Sequence, residues 1–461
     1  MKRIAFLPRN EHHFAVFEDI CVALKSHQVE AILLSQFGES KYVKTINFLS
    51  PMDAVEKKKY SHLIEKYSLF DILNKYIYAD RELTFFPRYF RTFRKNHKKN
   101  IENILGIWLY QIDEFFEYNS DINVIFSELK AGLFDGIFHE IAKFHGVDYL
   151  SIRQSKLTNG VIVCDPDHDL PHPNVKSKNN PDIDKIVNDY INNQRLKYDE
   201  PSYLEVTKNN HKLDFKMFPD IFNRIFFSCK RRNIFYISRQ IFIPIRWAFA
   251  KLINRITLKL NRADIFLSEI DHRDKYLIYP LHYEPESSVT IRGFPHEQIF
   301  LIKLISKSLP YGYKLYVKEH KGNRGYRKFA DYLDIQSLHN VELILPEMNS
   351  FDLVKNSSGV LTITGRMGWE ALLIGKPVLT FGKSFWSNLQ SVHKVTEIEH
   401  LNTQIKKLLD TGLMKNDDEI KSLVKFYIER TFPGNFVMKS SQLRTKKNIK
   451  VLTDLILKIL A

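Results

Sequence analysis

Short apolar runs alternate with amphipathic stretches along much of this chain, which is the pattern of a parallel α/β sheet. The opening predicts a strand at 3–7, a loop at 8–13, a helix at 14–26 and a second strand at 30–35. Charged and aromatic helical sequence follows at 53–118, and strand and helix alternate again from 123 to 152. A new strand begins at 275, and the alternation then continues to Gly382. We therefore predict an α/β protein with two parallel-sheet domains.

The clearest unit of this pattern lies in the second half of the chain. An apolar run at 360–363 stops at Thr364-Gly365, a helical pattern follows, and a Gly-Lys-Pro break precedes a second apolar run at 378–381. In such βαβ units, ligands bind beyond the carboxyl ends of the strands, where helix N-termini present amide groups to anions. The turn at Thr364 and Gly365 therefore predicts a phosphate site. Glu370, in the helix, is placed to accept ribose hydroxyls.

Polar side chains also follow the neighbouring predicted strands at 276–279, 315–318 and 341–345. The ends of parallel strands share one edge of a sheet, so these side chains converge there. The candidates for nucleotide binding are His282, Glu286, Lys318, His320, Arg324, Asn349 and Ser350, with Asn349 or Ser350 also capping a helix. Together with the turn, they predict a nucleotide site in the second domain.

Length and cysteine usage limit the class of protein. At 461 residues the chain exceeds one average core, which favours two domains. Cys21, Cys164 and Cys229 have no disulfide or metal spacing, so we expect a reducing, cytoplasmic compartment. The first apolar run is too short for a secretory leader, and nowhere do roughly 18 apolar residues run together to span a membrane. The first strand is Rossmann-like but lacks a GxGxxG fingerprint, so no dinucleotide cofactor is predicted.

The net charge of +15 favours anionic partners. From Arg224 to Arg262 the sequence carries basic and aromatic residues without any acidic one. Two interpretations stay open: a basic helical insertion packed on its own domain, or a surface that lies on anionic lipid at the inner membrane. No nucleic-acid-binding motif occurs in this segment, so nucleic acid is not a predicted partner.

Three segments resemble the bacterial capsule polysaccharide biosynthesis family, which includes Kdo-transferase-like proteins of capsule synthesis and export. The segments read YPLHYEPE, LPYGYKLYVKEH and VELILPEMNSFDLVKNSSGVLTITGRMGWEALLIGKPVLTFG, and they cover about a quarter of the chain. The resemblance implies a GT-B-like fold, in which two Rossmann-like domains face a cleft and the second holds the nucleotide. It also implies a CMP-activated sugar, typically Kdo, that is transferred without a metal ion.

The resemblance assigns roles to particular positions. His320 matches the histidine of a His-Pro element that contacts the donor phosphate, although Lys321 replaces the proline here. Asn349-Ser350 stands where the family shows paired serines, and the TGRMGWEALL segment matches its Thr-Gly-x-x-Gly-x-Glu helix start. Arg366, within that segment, often has a small counterpart, and its guanidinium is expected to meet a phosphate or an acceptor anion.

Glycosyl transfer requires a carboxylate, as base or as nucleophile, and the first domain offers three candidates. Glu128 ends an apolar strand, Asp135 lies in the helix that follows, and Glu11 lies in the loop at 9–13, where His12 is an alternative base. The Asp-Pro-Asp sequence at 165–167 reads as a turn in a long loop at 165–182, so no metal site is predicted.

The predicted domains are an N-terminal acceptor-side domain at 1–270 with helical and basic insertions, a nucleotide-sugar domain at 271–430 and a helical tail at 431–461. The favoured function is a cytoplasmic or peripherally bound glycosyltransferase that moves Kdo or a related sugar from a CMP donor to a capsule or lipid-linked acceptor. A CDP-glycerol-type glycerophosphotransferase and a non-catalytic nucleotide-binding scaffold are the alternatives. Inversion and retention of stereochemistry both stay open.

Overall fold

The computed structural model describes residues 2–35, 39–48, 60–79, 94–128, 130, 132–175, 181–196, 249–271, 273–283, 286–295, 297–320, 327–414, 417–437 and 440–461. These residues form two compact units. The first comprises described residues up to Ile183 together with Val424–Ala461. The second begins at Asp184 and ends at Leu423.

The first unit is built on a six-stranded sheet with the order β3-β2-β1-β4-β5-β6. The strands are β1 (Lys2–Leu7), β2 (Val29–Ser35), β3 (Thr45–Asn47), β4 (Ile122–Ser127), β5 (Asp148–Gln154) and β6 (Val161–Cys164). Its helices are α1 (Glu11–Leu24), α2 (Ser61–Lys66), α3 (Phe70–Ala79), α4 (Arg94–Tyr118), α5 (Leu133–Phe144) and α15 (Lys446–Leu460), and a 3₁₀ turn covers Lys25–His27. All neighbours pair in parallel except β5 and β6, which are antiparallel.

The second unit is built on a wholly parallel sheet with the order β12-β11-β10-β7-β8-β9. The strands are β7 (Lys275–Pro280), β8 (Tyr313–Lys318), β9 (Val341–Ile344), β10 (Val360–Thr362), β11 (Val378–Thr380) and β12 (Val392–Lys394). Its helices are α6 (Ile183–Leu196), α7 (Arg262–Ile265), α8 (Ser287–Thr290), α9 (Gln298–Ser308), α10 (Phe329–Gln336), α11 (Ser350–Asn356), α12 (Arg366–Leu373) and α13 (Leu401–Thr411). Residues 249–260 are also helical, a 3₁₀ turn covers Ile398–His400, and α14 (Asp417–Ile428) runs from this unit into the first.

Both sheets have the doubly wound strand order, so the prediction of two Rossmann-like α/β domains is confirmed. In each sheet the order reverses at one point, between β1 and β4 in the first and between β7 and β10 in the second. The crevice beyond the carboxyl ends of such a strand pair is where open α/β sheets bind ligands. These two edges are therefore the places to look for function.

The first helix differs from its prediction in a way that affects the site. It begins at Glu11 rather than at residue 14, because the Asn10 side chain accepts a hydrogen bond from His13 N at 2.9 Å and caps the helix. The predicted loop at 9–13 is therefore largely the first helical turn. The antiparallel strand β6 also differs from the all-parallel expectation; it lies at the sheet edge, where such a strand is common.

The division into units differs from the predicted boundaries at 270 and 430. The helical residues 249–260 belong to the second unit, because Leu258 packs against that unit's core. Arg195 of α6 likewise donates to Leu373 O at 2.6 Å within the second unit. The last 38 residues belong to the first unit, where Leu452 and Ile456 of α15 pack in the core with Phe17 of α1.

Within the described part of the chain, no helix combines the length and apolarity needed to cross a membrane.

Candidate functional site

The switch point of the second sheet is formed by the end of β7 and the turn from β10 into α12. Thr364 N donates to His282 Nε2 at 3.3 Å, and Gly365 N donates to Thr362 Oγ1 at 3.0 Å. A Cβ on Gly365 would lie 2.6 Å from Thr362 Oγ1 and 3.2 Å from His282 Nε2, so only glycine fits. Because Nε2 accepts, the neutral imidazole carries its proton on Nδ1. The histidine thus joins the two strands between which the sheet order reverses.

The position of His282 is fixed by buried polar groups behind it. Gln298 accepts from His282 N at 2.7 Å and donates to His282 O at 3.2 Å. Arg327 also donates to His282 O, at 3.3 Å, and forms an ion pair with Glu319 at 3.2 Å. Glu319 in turn accepts from the Tyr332 hydroxyl at 2.7 Å. Both charged side chains are at most 2% exposed, so the pair orders the histidine loop from inside the fold.

The next two strand ends carry predicted residues in different environments. Lys318 is buried, and its Nζ donates to Pro346 O at 2.8 Å, which ties the end of β8 to the end of β9. His320, two residues further along, is exposed, and its ring centroid lies 6.5 Å from that of Tyr283. Lys318 therefore holds two strand ends together, whereas His320 is accessible to a ligand.

The remaining residues predicted to bind the nucleotide-sugar donor lie at helix starts or on the buried side of α12. The Asn349 side chain accepts from Phe351 N at 2.9 Å and caps α11, whose first residue is Ser350. Glu286 is exposed, and its carbonyl accepts hydrogen bonds from Val289 N and Thr290 N of α8. Glu370 is only 6% exposed, so a ribose can contact it only after neighbouring side chains move. Arg324 lies outside the described residues.

Arg366 lies one turn before Glu370 on α12. Burial lowers the pKa of Arg366, and the nearby Tyr190 and Glu370 act in the opposite direction. Arg366 is half-buried, and the two groups lie near enough to its guanidinium to favour the charged form. Its predicted contact with a phosphate or acceptor anion stays a prediction.

The switch point of the first sheet brings together a second charged cluster, from the loop after β1 and the residues after β4. His13 Nδ1 lies 3.0 Å from Glu128 Oε2 and 2.8 Å from Asn10 Nδ2. Arg9 Nε lies 2.9 Å from Asp135 Oδ2, and its Nη1 lies 4.0 Å from Glu128. Two predicted carboxylates, Glu128 and Asp135, thus share one arginine.

Glu128 is held ionised by its neighbours. Burial by itself would raise the pKa of this carboxyl, but the hydrogen bond with His13 and the charges of His13, Arg9 and Arg153 outweigh it and lower the pKa to about 2. A carboxylate of such low basicity is a weak general base at neutral pH, yet it can act as a nucleophile or stabilise positive charge. About a quarter of its side chain (26%) is exposed, so a substrate can reach it.

His13 is the residue of this cluster that sequence reasoning missed. Glu11 and His12 are exposed on the first turn of α1, whereas His13 is fully buried and stacks on Phe436 at 5.1 Å between ring centroids. The signal was present in the helical spacing, because His13 lies on the same face as the buried Val16 and Phe17. This signal is hidden in the sequence because the predicted helix begins at residue 14, after His13.

The Asp-Pro-Asp sequence has local partners. Asp165 Oδ1 accepts from Asp167 N at 2.7 Å and from His168 N at 2.9 Å, which closes a turn. Asp167 is paired with the buried Lys130 at 2.6 Å. In the ranges that the structure covers, no group of three or more histidine, cysteine or acidic side chains is arranged to hold a metal ion.

A family model described as "Capsule polysaccharide biosynthesis protein" matches residues 236–406. Over this stretch the chain is similar to capsule polysaccharide biosynthesis proteins. The resemblance stated from the sequence is thereby confirmed. The matched stretch contains His282, the buried Arg327–Glu319 pair and the Thr364-Gly365 turn, whereas the Glu128 cluster lies outside it.

Among curated proteins, the capsule polysaccharide modification protein LipA of Neisseria meningitidis serogroup B is 33% identical to this chain over 73 residues. That stretch is 16% of this chain and 10% of LipA, so the chain matches about a tenth of the length of this relative.

Among solved structures, the β-Kdo 2,7-transferase of Thermosulfurimonas dismutans KpsC is 13% identical, covering 76% of this chain and 90% of that one with a TM-score of 0.35. The UDP-GlcNAc 2-epimerase of Methanocaldococcus jannaschii is 11% identical, covering 89% and 93% of the two chains with a TM-score of 0.26. Both TM-scores lie below 0.5.

The low pKa of Glu128 predicts how stability changes in acid. The carboxyl has a pKa of about 2 in the folded chain and about 4.3 when unfolded, so its contribution is complete above pH 5 and lost as the pH falls towards 2. The contribution is at most about 3 kcal/mol. The melting temperatures of wild type and Glu128→Gln should therefore differ most at pH 7 and converge as the pH falls towards 2. A difference that does not change with pH would contradict this account of the carboxyl.

Proposed function

We propose that this protein is a glycosyltransferase of capsule or surface-polysaccharide synthesis, and that it takes Kdo or a related sugar from a CMP-activated donor. The observation that carries the proposal is the contact between His282 and Thr364, at the switch point of the second sheet and within the stretch that the family model matches. Open α/β sheets bind nucleotides at such a point, and α12 starts there with its amide end towards the edge.

We assign the leaving nucleotide of the donor to this edge of the second sheet. A departing nucleoside phosphate is stabilised by positive charge and by amide donors fixed before the reaction. His320 is exposed next to the buried pair that orders the edge, and Ser350 begins a further helix at the end of β9. These groups and the α12 turn are proposed to hold the phosphate, so that transfer needs no metal ion and turnover survives EDTA.

We assign the catalytic role to Glu128. Transfer from an activated sugar needs a carboxylate that either activates the acceptor or attacks the anomeric carbon. Glu128 is ionised and partly exposed, and His13 and Arg9 orient it. Its low basicity favours the role of nucleophile or charge stabiliser. Asp135 is 7% exposed and paired with Arg9, which suits it to positioning, and Glu11 is a solvent-exposed alternative.

A thermal-shift titration with CMP, CDP, UDP, GDP and ADP tests the donor assignment. A ligand that binds only the folded state raises the melting temperature, by about 2.7 kcal/mol of stabilisation at a hundred times its Kd. We expect CMP to stabilise the protein most, and His320→Ala to weaken its binding roughly tenfold, as the loss of one charge-assisted hydrogen bond would.

His339→Ala is the matched control, because His339 is also exposed in the second unit but precedes β9 rather than following a strand. It should leave the CMP titration unchanged. Preference for CDP would point to glycerophosphate transfer instead, and preference for UDP or GDP would overturn the sugar. If none of the five nucleotides binds, the donor proposal fails.

A further inference from the structure

The helical residues 249–260 turn most of their large apolar side chains to solvent. Phe249, Leu252, Ile253, Ile256 and Leu260 are 64%, 46%, 49%, 51% and 79% exposed, respectively. Each residue of a helix advances about 100°, so these five side chains lie within an arc of about 100°. They form one continuous outward stripe, about 18 Å long at 1.5 Å per residue. We call it the 249–260 stripe.

The opposite face of the same helix shows that the stripe is not simply a misplaced core face. Asn254, Thr257 and Asn261 are only partly exposed, and Leu258 is the apolar residue of this side that packs against the core of the second unit. A surface helix normally turns its apolar side inward. Here the usual arrangement is reversed, so folding of this unit does not explain the outward stripe.

Basic residues border the stripe along one side. Arg255 and Lys259 are exposed, Lys251 lies one turn before Arg255, and the sequence from 249 to 262 contains no acidic residue. Isolated exposed apolar side chains are normal, but a contiguous patch marks an interaction surface. A helix with an apolar face and a basic flank is the arrangement that enters the headgroup region of anionic bilayers.

We propose that residues 249–260 form an interfacial helix that docks the protein on an anionic membrane surface. The helix lies in the plane of the bilayer, with the stripe among the upper acyl chains and Arg255 and Lys259 at the lipid phosphates. The charge of its flank selects a lipid surface over a second copy of this chain, because two copies meeting at the stripe would bring like charges together. The proposal concerns residues other than those proposed to bind the nucleotide, and it does not depend on the identity of the donor.

Co-sedimentation of the 461-residue chain with vesicles tests this proposal. Wild type should bind vesicles that contain phosphatidylglycerol and bind pure phosphatidylcholine vesicles much more weakly. Ile253→Ser/Ile256→Ser should lower the partition coefficient at least tenfold, because two buried apolar side chains are lost. Arg255→Gln/Lys259→Gln should lower it by about fivefold for each side chain at low salt and reduce the difference between the two lipids.

Leu333→Ser is the matched control, since Leu333 is an exposed leucine (46%) on α10 of the same unit. It should bind vesicles as wild type does. All substituted side chains are exposed, and an unchanged melting temperature verifies that each variant folds. A second readout is Ile256→Trp, whose fluorescence should shift to the blue and be quenched by bromine-labelled acyl chains.

Three results would overturn the proposal. The first is wild type that stays in the supernatant with anionic vesicles, and the second is binding that the stripe substitutions do not weaken. The third is that wild type forms an oligomer, and that Ile253→Ser/Ile256→Ser dissociates this oligomer without changing vesicle binding. That result would assign the stripe to contact with a second copy of the chain.

Discussion

Glu128→Gln should lower kcat by a factor of about 10³ or more while nucleotide affinity changes less than twofold. The amide keeps the size of the side chain but removes the negative charge that His13 and Arg9 orient. A group that acts on the reacting sugar lowers turnover when it is lost, whereas a group that only holds the donor raises KM. The measurement is release of CMP from a CMP-Kdo donor with a glycan acceptor, well below the melting temperature of the variant.

Asp121→Asn is the matched control for this substitution. Asp121 precedes β4 and Glu128 follows it, so the two carboxylates lie at opposite ends of one strand. Asp121 forms a surface ion pair with Arg3, and its loss should leave turnover at the wild-type level. Full activity in Glu128→Gln would remove Glu128 from catalysis and direct attention to Asp135 and Glu11.

Arg327→Met should destabilise the second unit by about 3–5 kcal/mol, because it leaves Glu319 buried without its opposite charge. Both side chains are at most 2% exposed, so water cannot replace the lost partner. The substitution also removes the donor to His282 O, and nucleotide affinity should fall with stability. Calorimetric unfolding and the CMP titration measure the two effects separately.

The double variant Arg327→Met/Glu319→Leu separates the cost of an unpaired charge from the value of the pair. Removing both charges should recover much of the stability, because a buried ion pair is often no more stabilising than apolar groups of similar volume. Arg273→Met is the surface control: the Arg273–Asp271 pair is exposed to solvent, and its loss should have no measurable effect. A double variant as unstable as the single one would show that the pair itself stabilises the fold.

The fold could be predicted from the sequence where local pattern determines it. The β-branched run at 360–363, the glycine turn and the Gly-Lys-Pro break predict β10, α12 and β11, because each signal acts within a few residues. The reversal of strand order depends instead on which strands pair across more than 80 residues, as Ile278 and Val360 do. That pairing has no local signature.

The site could be predicted only in part, for the same reason. Strand-end residues such as His282 and Glu128 stand out because parallel strands share an edge. Glu319 and Arg327 form a pair only after the fold has buried both, and nothing in the eight-residue spacing indicates it. His13 was missed because Asn10 starts the helix three residues before the apolar pattern does.

The first core contains residues from distant parts of the sequence, and this determines the order in which the two units can fold during synthesis. Phe436, which stacks on His13, and the α15 residues of that core follow the whole second unit in the sequence. The first unit therefore cannot close its core, or cover the imidazole beside Glu128, until residues 424–461 have been synthesised. The described residues of the second unit lie between 184 and 423, so this unit can fold before the first one is complete, which reverses the usual N-to-C order of domain folding. A nascent chain arrested before residue 424 should accordingly protect the nucleotide edge from protease and leave β1 and α1 open to cleavage.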